Sequence, residues 1–142
     1  MKIAFAFVAI VLGLSLPAVA GESTITAVSR TNAQNYKDRA LALCVAEAYK
    51  GSPAGDDASI TTSAFIEWTY YDLDKGNPAT DRLVQKYLRR DYTNPIEGYA
   101  GAEFKLLKCL DMYHSEELDD QVRKYVPHPD WIGDKPVRRK NK

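Results

Sequence analysis

Residues 108–120, KCLDMYHSEELDD, place Cys109, Asp111, His114 and Ser115 within seven consecutive positions. A thiol, a carboxylate, an imidazole and a hydroxyl are the groups from which hydrolases build a nucleophile, its base and an orienting partner. Position decides whether these four can cooperate. On a helix, His114 lies about 500° around the axis from Cys109, so the two side chains diverge. Asp111 falls on the outer surface of that helix. Ser115 stands where a following helix would begin, and a serine there caps backbone amides. The chain's only other histidine is His128, and no orienting carboxylate is in view for it. The four residues therefore read as structural, and a protein that is not an enzyme is expected. The enzymatic alternative requires Cys109 to titrate as a free thiol.

The compartment is legible at the other end. MKIAFAFVAIVLGLSLPAVAG carries one cation, Lys2, then an apolar run from Ile3 to Leu16, and closes on Ala18-Val19-Ala20. That is the small-x-small pattern signal peptidase accepts. The run is shorter than the ~20 apolar residues a bilayer span needs. Residues 1–20 are therefore expected to be an export signal, cleaved near Ala20–Gly21, with no stable membrane insertion afterwards.

Lys and Arg number 19, as do Asp and Glu. Loss of Lys2 moves the formal charge from zero to −1, so no global basic field exists to attract nucleic acid. The closing RRKNK is basic but reads as a solvated tail. Both cysteines, Cys44 and Cys109, lie in the exported part, where an even count favours a disulfide. Two cysteines alone cannot form a tetrahedral zinc site, and the chain's only histidines are His114 and His128. No metal and no cofactor are expected.

Periodicity places five helices, an all-α domain. In NYKDRALALCVAEAYKG, Tyr36, Ala40, Leu43, Cys44 and Ala48 recur at helical spacing, Asn35 with Asp38 forms a weak capping box, and Gly51 is a stop. A second helix starts at Asp56 and runs to about Tyr71, with a stripe of Ala58, Thr61, Ala64, Phe65, Trp68 and Tyr71. Its β-branched and aromatic content makes a strand the rival, but spacing of three and four fits better than alternation. DLDKGNP, residues 72–78, reads as a loop. Asn77 then caps a third helix with Pro78 in its first turn, burying Leu83, Val84, Tyr87 and Leu88. A fourth spans about Ala102–His114 with Leu106, Leu107, Leu110 and Tyr113 as core. The fifth follows the Ser115 cap, with Leu118, Val122, Tyr125 and Val126 inward and Pro127 as its stop. The expected organisation is a flexible lead-in at 21–34, a helical domain at 35–131 and a loose basic tail at 132–142.

Cys44 lies on the apolar face of its helix, and Cys109 lies close to that of its own. A Cys44–Cys109 bridge is therefore expected. Closing a loop of this length contributes about 4 kcal/mol in the chain-entropy model, and it leaves Cys109 without a thiolate.

LLKCLDMYHSEELDDQVRKYVPHPDW, residues 106–131, resembles the C-terminal signature of the fourth family of type VI secretion amidase immunity proteins. YKDRALALCVAEAYK and AFIEWTYYD are similar to that family's first and second helices. The resemblance spans roughly residues 35–131. It implies a periplasmic, all-helical protein that pairs with itself and binds a cell-wall amidase injected by neighbouring bacteria. It further implies that the target is a papain-like cysteine peptidase cutting the D-glutamate to diaminopimelate bond, and that a protruding loop blocks its groove. A different periplasmic inhibitor or adaptor, such as a lysozyme inhibitor, is the other class considered.

Against that implication, DYTNPIEGYAG at 91–101 is the segment suited to act as the plug. Pro95 restricts the backbone, Gly98 and Gly101 allow unusual turns, and Tyr92 and Tyr99 offer large contact area. Asn94 belongs to the same candidate set, and Glu97 could mimic a stem-peptide carboxylate. The competing reading folds Tyr92, Ile96 and Tyr99 back as a lid over the helices. The rival site is the 72–78 segment, with Asp72, Asp74 and Lys75.

Overall fold

The computed structural model describes residues 24–93 and 97–137. The expected export signal, its cleavage point and the end of the basic tail lie outside the described residues. Among the described residues the chain forms five α-helices, no strand, and a short 3-10 helix at Thr26–Ser29. The helices are α1 (Asn32–Ala48), α2 (Pro53–Trp68), α3 (Leu73–Leu88), α4 (Lys105–Tyr113) and α5 (Glu116–Tyr125).

α1 lies at the centre, packing most extensively on α2 and also touching α3, α4 and α5. Its start differs from the expected Asn35 cap. Thr31 caps it, accepting the Gln34 amide at 3.3 Å while its own amide donates to Gln34 Oε1 at 3.0 Å, a full capping box. Asn35 is instead fully buried, donating from Nδ2 to the Ala27 carbonyl at 3.0 Å. Within the expected flexible lead-in, the 3-10 turn and the buried Ala27 form a packed element. Tyr36, Ala40, Cys44 and Ala48 face the core as their spacing predicts.

α2 begins at Pro53, because Ser52 Oγ accepts the Gly55 amide at 3.2 Å, ahead of the expected Asp56 cap. Ala58 and Phe65 are buried, but Gly55 and Thr62 complete the inner face where Thr61 and Ala64 were expected. The helix ends at Trp68; Tyr71 lies beyond it, buried edge-on against Tyr36 with ring centroids 5.2 Å apart.

The expected 72–78 loop is corrected: it is the cap and first turns of α3. Asp72 Oδ1 accepts the Lys75 amide at 3.1 Å, and Asp74 adds negative charge in the first turn. Asn77 is not the cap; its Oδ1 accepts the Tyr71 hydroxyl at 2.7 Å. Pro78 sits inside the helix. Leu83, Val84 and Tyr87 are buried as expected.

α4 is corrected in both extent and rotation. It starts at Lys105, after Phe104 in the left-handed region with φ 50°. Its inward residues are Lys108, Cys109 and Met112, while Leu106, Leu107 and Leu110 are 49, 38 and 37% exposed. The physical cause is covalent. Cys109 is bonded to Cys44 of α1, with Cα atoms 5.6 Å apart, and with Cys109 facing α1 the three leucines lie on the outward side.

α5 matches its reading. Ser115 caps it, Glu116, Glu117 and Asp119 occupy its first turn, and Arg123 and Lys124 its last. Leu118 is fully buried and Val126 nearly so. The segment after α5 docks back on α1. His128 stacks on Trp131 with centroids 3.9 Å apart, and Ile132 and Lys135 exchange backbone hydrogen bonds of 3.0 Å. The part of the tail up to residue 137 is thus partly structured, not uniformly loose.

Candidate functional site

The four residues with hydrolytic side chains each have another partner. Cys109 is in the disulfide with Cys44 and is fully buried. Ser115 Oγ accepts the Leu118 amide at 3.2 Å and donates to the Met112 carbonyl at 2.6 Å. His114 is exposed at the C-terminal end of α4, edge-on to Tyr113. Asp111, on the outer side of α4, accepts the hydroxyl of Tyr92. The structure does not assemble them into one constellation.

The 91–101 segment divides into an anchored stem and an open tip. Tyr92 is half-buried, with its hydroxyl on Asp111 and the Lys108 ammonium 5.6 Å from its ring centre. Burial, and secondarily the Asp111 carboxylate, push the Tyr92 phenol above its ordinary value. Asn94, Pro95 and Ile96 lie outside the described residues. Glu97, Gly98 and Tyr99 are all exposed, Tyr99 to 61%. Gly98 and Gly101 hold φ of 91° and 82°, a region that suits glycine. The Ala102 amide then donates to the Tyr99 carbonyl at 3.1 Å, closing a turn that returns the chain to α4.

Between stem and return lies a cleft of about 470 Å³ lined by Asp91, Tyr92, Thr93, residues 100–102, Glu103 and Lys108. Lys108 is 8% exposed and donates to the Leu88 carbonyl at 3.3 Å. Glu103 pairs with Lys105 at 2.8 Å, and that hydrogen bond holds its carboxyl below the usual range. The arrangement offers contact surface, a carboxylate and an aromatic ring.

Sequence reasoning treated Tyr92 and Tyr99 alike, whereas they face opposite ways. It also left Lys108 aside, although its position three residues before Asp111 puts both on neighbouring turns beside the loop. The rival residues Asp72, Asp74 and Lys75 form the exposed start of α3, with Lys75 Nζ 3.3 Å from Asp72 Oδ2. Asp72 is the cap and Asp74 and Lys75 lie in the first turn of α3, so they do not protrude as a loop.

The family model of Tai4, the type VI secretion system amidase immunity protein, matches residues 34–122. The chain belongs to the Tai4 family. The Tai4 match begins at the third residue of α1 and ends within α5 at Val122, taking in both cysteines and the whole 91–101 segment. A chain from the Serratia marcescens work "New Type VI-secreted toxins and self-resistance proteins" superposes with a TM-score of 0.68 at 27% identity, over 83% of this chain and 94% of that one. A chain from the effector–immunity system Tae4/Tai4 of Salmonella typhimurium superposes with a TM-score of 0.62, over 84% of this chain and 100% of that one. At 23% identity that second likeness speaks for the fold alone. No curated protein matches this Tai4 chain in sequence.

Proposed function

We propose that this chain binds and inhibits a cognate type VI secreted peptidoglycan amidase in the periplasm, occluding the amidase groove with the 91–101 loop. The target class is a cysteine peptidase cutting D-Glu–diaminopimelate bonds. The observation that carries the reading is the split of the loop: Tyr92 is tied to α4, while Glu97, Gly98 and Tyr99 are left exposed beside it. A plug needs a fixed base and a free tip. Tyr99 supplies a rigid aromatic anchor, a residue type that often dominates interface energetics. Glu97 supplies a carboxylate that can meet the catalytic histidine in place of a stem-peptide group. Asn94 and Pro95 belong to the same loop.

The export signal expected at 1–20 supports the periplasmic location, and an oxidised Cys44–Cys109 pair fits an oxidising compartment. The protein acts as a binder, not a catalyst. It also pairs with itself; the three outward leucines of α4 support this, since soluble chains rarely leave such a cluster uncovered.

The test replaces Glu97 and Tyr99 with alanine and measures folding and amidase inhibition separately. Intact folding with lost inhibition supports the plug. Inhibition equal to that of the parent chain moves the site to the start of α3, where Asp72, Asp74 and Lys75 stand beside the exposed Tyr70 and Leu73.

A further inference from the structure

α4 is lightly held for a helix that borders the core. Its inner side consists of Lys108, Cys109 and Met112. Met112 is the one sizeable apolar side chain among them; Tyr113 adds partly buried packing and donates its hydroxyl to Asp38 of α1 at 3.1 Å, while the three leucines are exposed. Its 9 residues are also fewer than the roughly 12–15 an isolated helix needs in water. The placement of α4 on α1 therefore leans on the covalent bond between Cys109 and Cys44.

The residues flanking Cys109 carry the base of the loop. Lys108, immediately before it, reaches back to the Leu88 carbonyl at the end of α3 and lies over the Tyr92 ring. Asp111, two residues after it, receives the Tyr92 hydroxyl. One short helix thus joins the disulfide to the stem of the loop, with Cys109 between the two contacts.

We propose that Lys108 and Asp111 are positioning residues that lock the loop stem through Tyr92, and that the Cys44–Cys109 disulfide holds both in place, making loop presentation dependent on oxidation. This rests on the reading of the loop as the inhibitory element and adds its control. The controlling step is thiol–disulfide exchange. A thiolate of a dithiol reductant attacks one sulfur of the pair, and its second thiolate resolves the mixed disulfide. The dithiol becomes a disulfide, while Cys44 and Cys109 receive the two electrons and two protons as thiols. The reverse exchange, with a disulfide oxidant, closes the bond. Both sulfurs are fully buried, so the exchange follows opening of the α1–α4 contact or precedes its formation. A chain still reduced before export would fold with an unlocked stem. Ordering that stem on binding then costs affinity, as for any binding element that is not preorganised.

The experiment measures the affinity of the amidase effector produced by the same strain for five forms: the oxidised chain, C44A/C109A, Y92F, D111A and D111N. Far-UV circular dichroism, thermal melting and amide hydrogen exchange over residues 97–104 accompany each. Y92F and D111A are expected to bind about three- to tenfold more weakly, with faster exchange in 97–104 and an unchanged melt. D111N is expected to recover most of the loss, because its amide oxygen still accepts the Tyr92 hydroxyl. C44A/C109A is expected to keep its helix content, lose at least tenfold in affinity and show the same faster exchange. Parent-like affinity and exchange in Y92F, D111A and the cysteine variant overturns the inference. If C44A/C109A does not fold, redox dependence is read on the parent chain, refolded with and without a dithiol and assayed in the presence of the effector. Equal affinity then overturns the link to the disulfide. No binding by the oxidised chain overturns the inhibitory reading itself, and this inference with it.

Discussion

Asn32 Nδ2 donates to the carbonyl oxygen of Gly133 across 2.8 Å, joining residues 101 positions apart in the chain. The same fully buried side chain donates to the His128 carbonyl at 3.0 Å and accepts the Tyr70 amide at 2.9 Å. The Asn32 amide itself donates to the Trp131 carbonyl at 2.7 Å. The start of α1, the exit of α2 and the segment after α5 therefore meet on one amide group. Asn32→Ala leaves three polar groups without it and is expected to cost about 3 kcal/mol. The melting temperature should fall by roughly 10 °C. A melt within a degree or two of the parent contradicts this account.

The disulfide closes 65 residues of chain. Its removal by Cys44→Ala with Cys109→Ala is expected to lower unfolding free energy by about 4 kcal/mol, mostly through a freer unfolded state. Denaturant titration of both forms checks this. Thiol counting on denatured, unreduced protein should find no free thiol.

Gly55 is predicted to resist replacement. A Cβ there would lie 2.2 Å from the Tyr49 carbonyl oxygen, which is backbone and cannot swing aside. Gly55→Ala must push the start of α2 away from the end of α1, at a cost of about 1–3 kcal/mol. Ala has the higher helix propensity, so a stabilised variant would show that the close approach is not real.

Glu117 of α5 is paired with Lys86 of α3, and Arg90 Nη2 lies 3.9 Å away. The hydrogen bond from Lys86, foremost, holds its carboxyl below the ordinary 4.5. Because the group ionises more readily folded than unfolded, its contribution is present above about pH 4.5 and is lost as pH falls through the folded value. Both side chains are more than a third exposed, so solvent screening keeps the contribution to a few tenths of a kcal/mol. Glu117→Gln should lower stability by a few tenths of a kcal/mol at neutral pH and leave it unchanged below the folded value, so the acid limb flattens slightly. Added salt should shrink the difference.

Self-association is expected to depend on α4. Light scattering of the parent chain at micromolar concentration should give twice the monomer mass. Leu106→Glu with Leu110→Glu should give the monomer mass with the same far-UV spectrum. A monomeric parent chain removes the pairing altogether.

What the sequence made legible followed from local rules that nothing else opposed. α5 was readable because Ser115, the acidic first turn and the basic last turn all agree, and Leu118 and Val126 lie inward as spaced. The first turns of α3 were missed because Gly76, Asn77 and Pro78 are turn formers, yet the Asp72 cap outweighs them. α4 was misrotated because three leucines suggest a core face. The buried side is instead the one that carries Cys109, bonded to Cys44, with Lys108 and Met112 beside it. For the candidate site, composition identified the 91–101 segment but offered two orientations for its tyrosines. Each of the two described tyrosines takes one: Tyr92 folds back and Tyr99 does not.

The outward face of α4 has an evolutionary consequence. None of Leu106, Leu107 and Leu110 supports the interior, and neither do the exposed Glu97 and Tyr99. Substitutions at such positions seldom approach the stability threshold below which a chain is purged. Successive generations can rewrite them singly while α1 and the disulfide keep the scaffold unchanged. Under the function proposed above, recognition would be free to change at positions on which the fold does not depend.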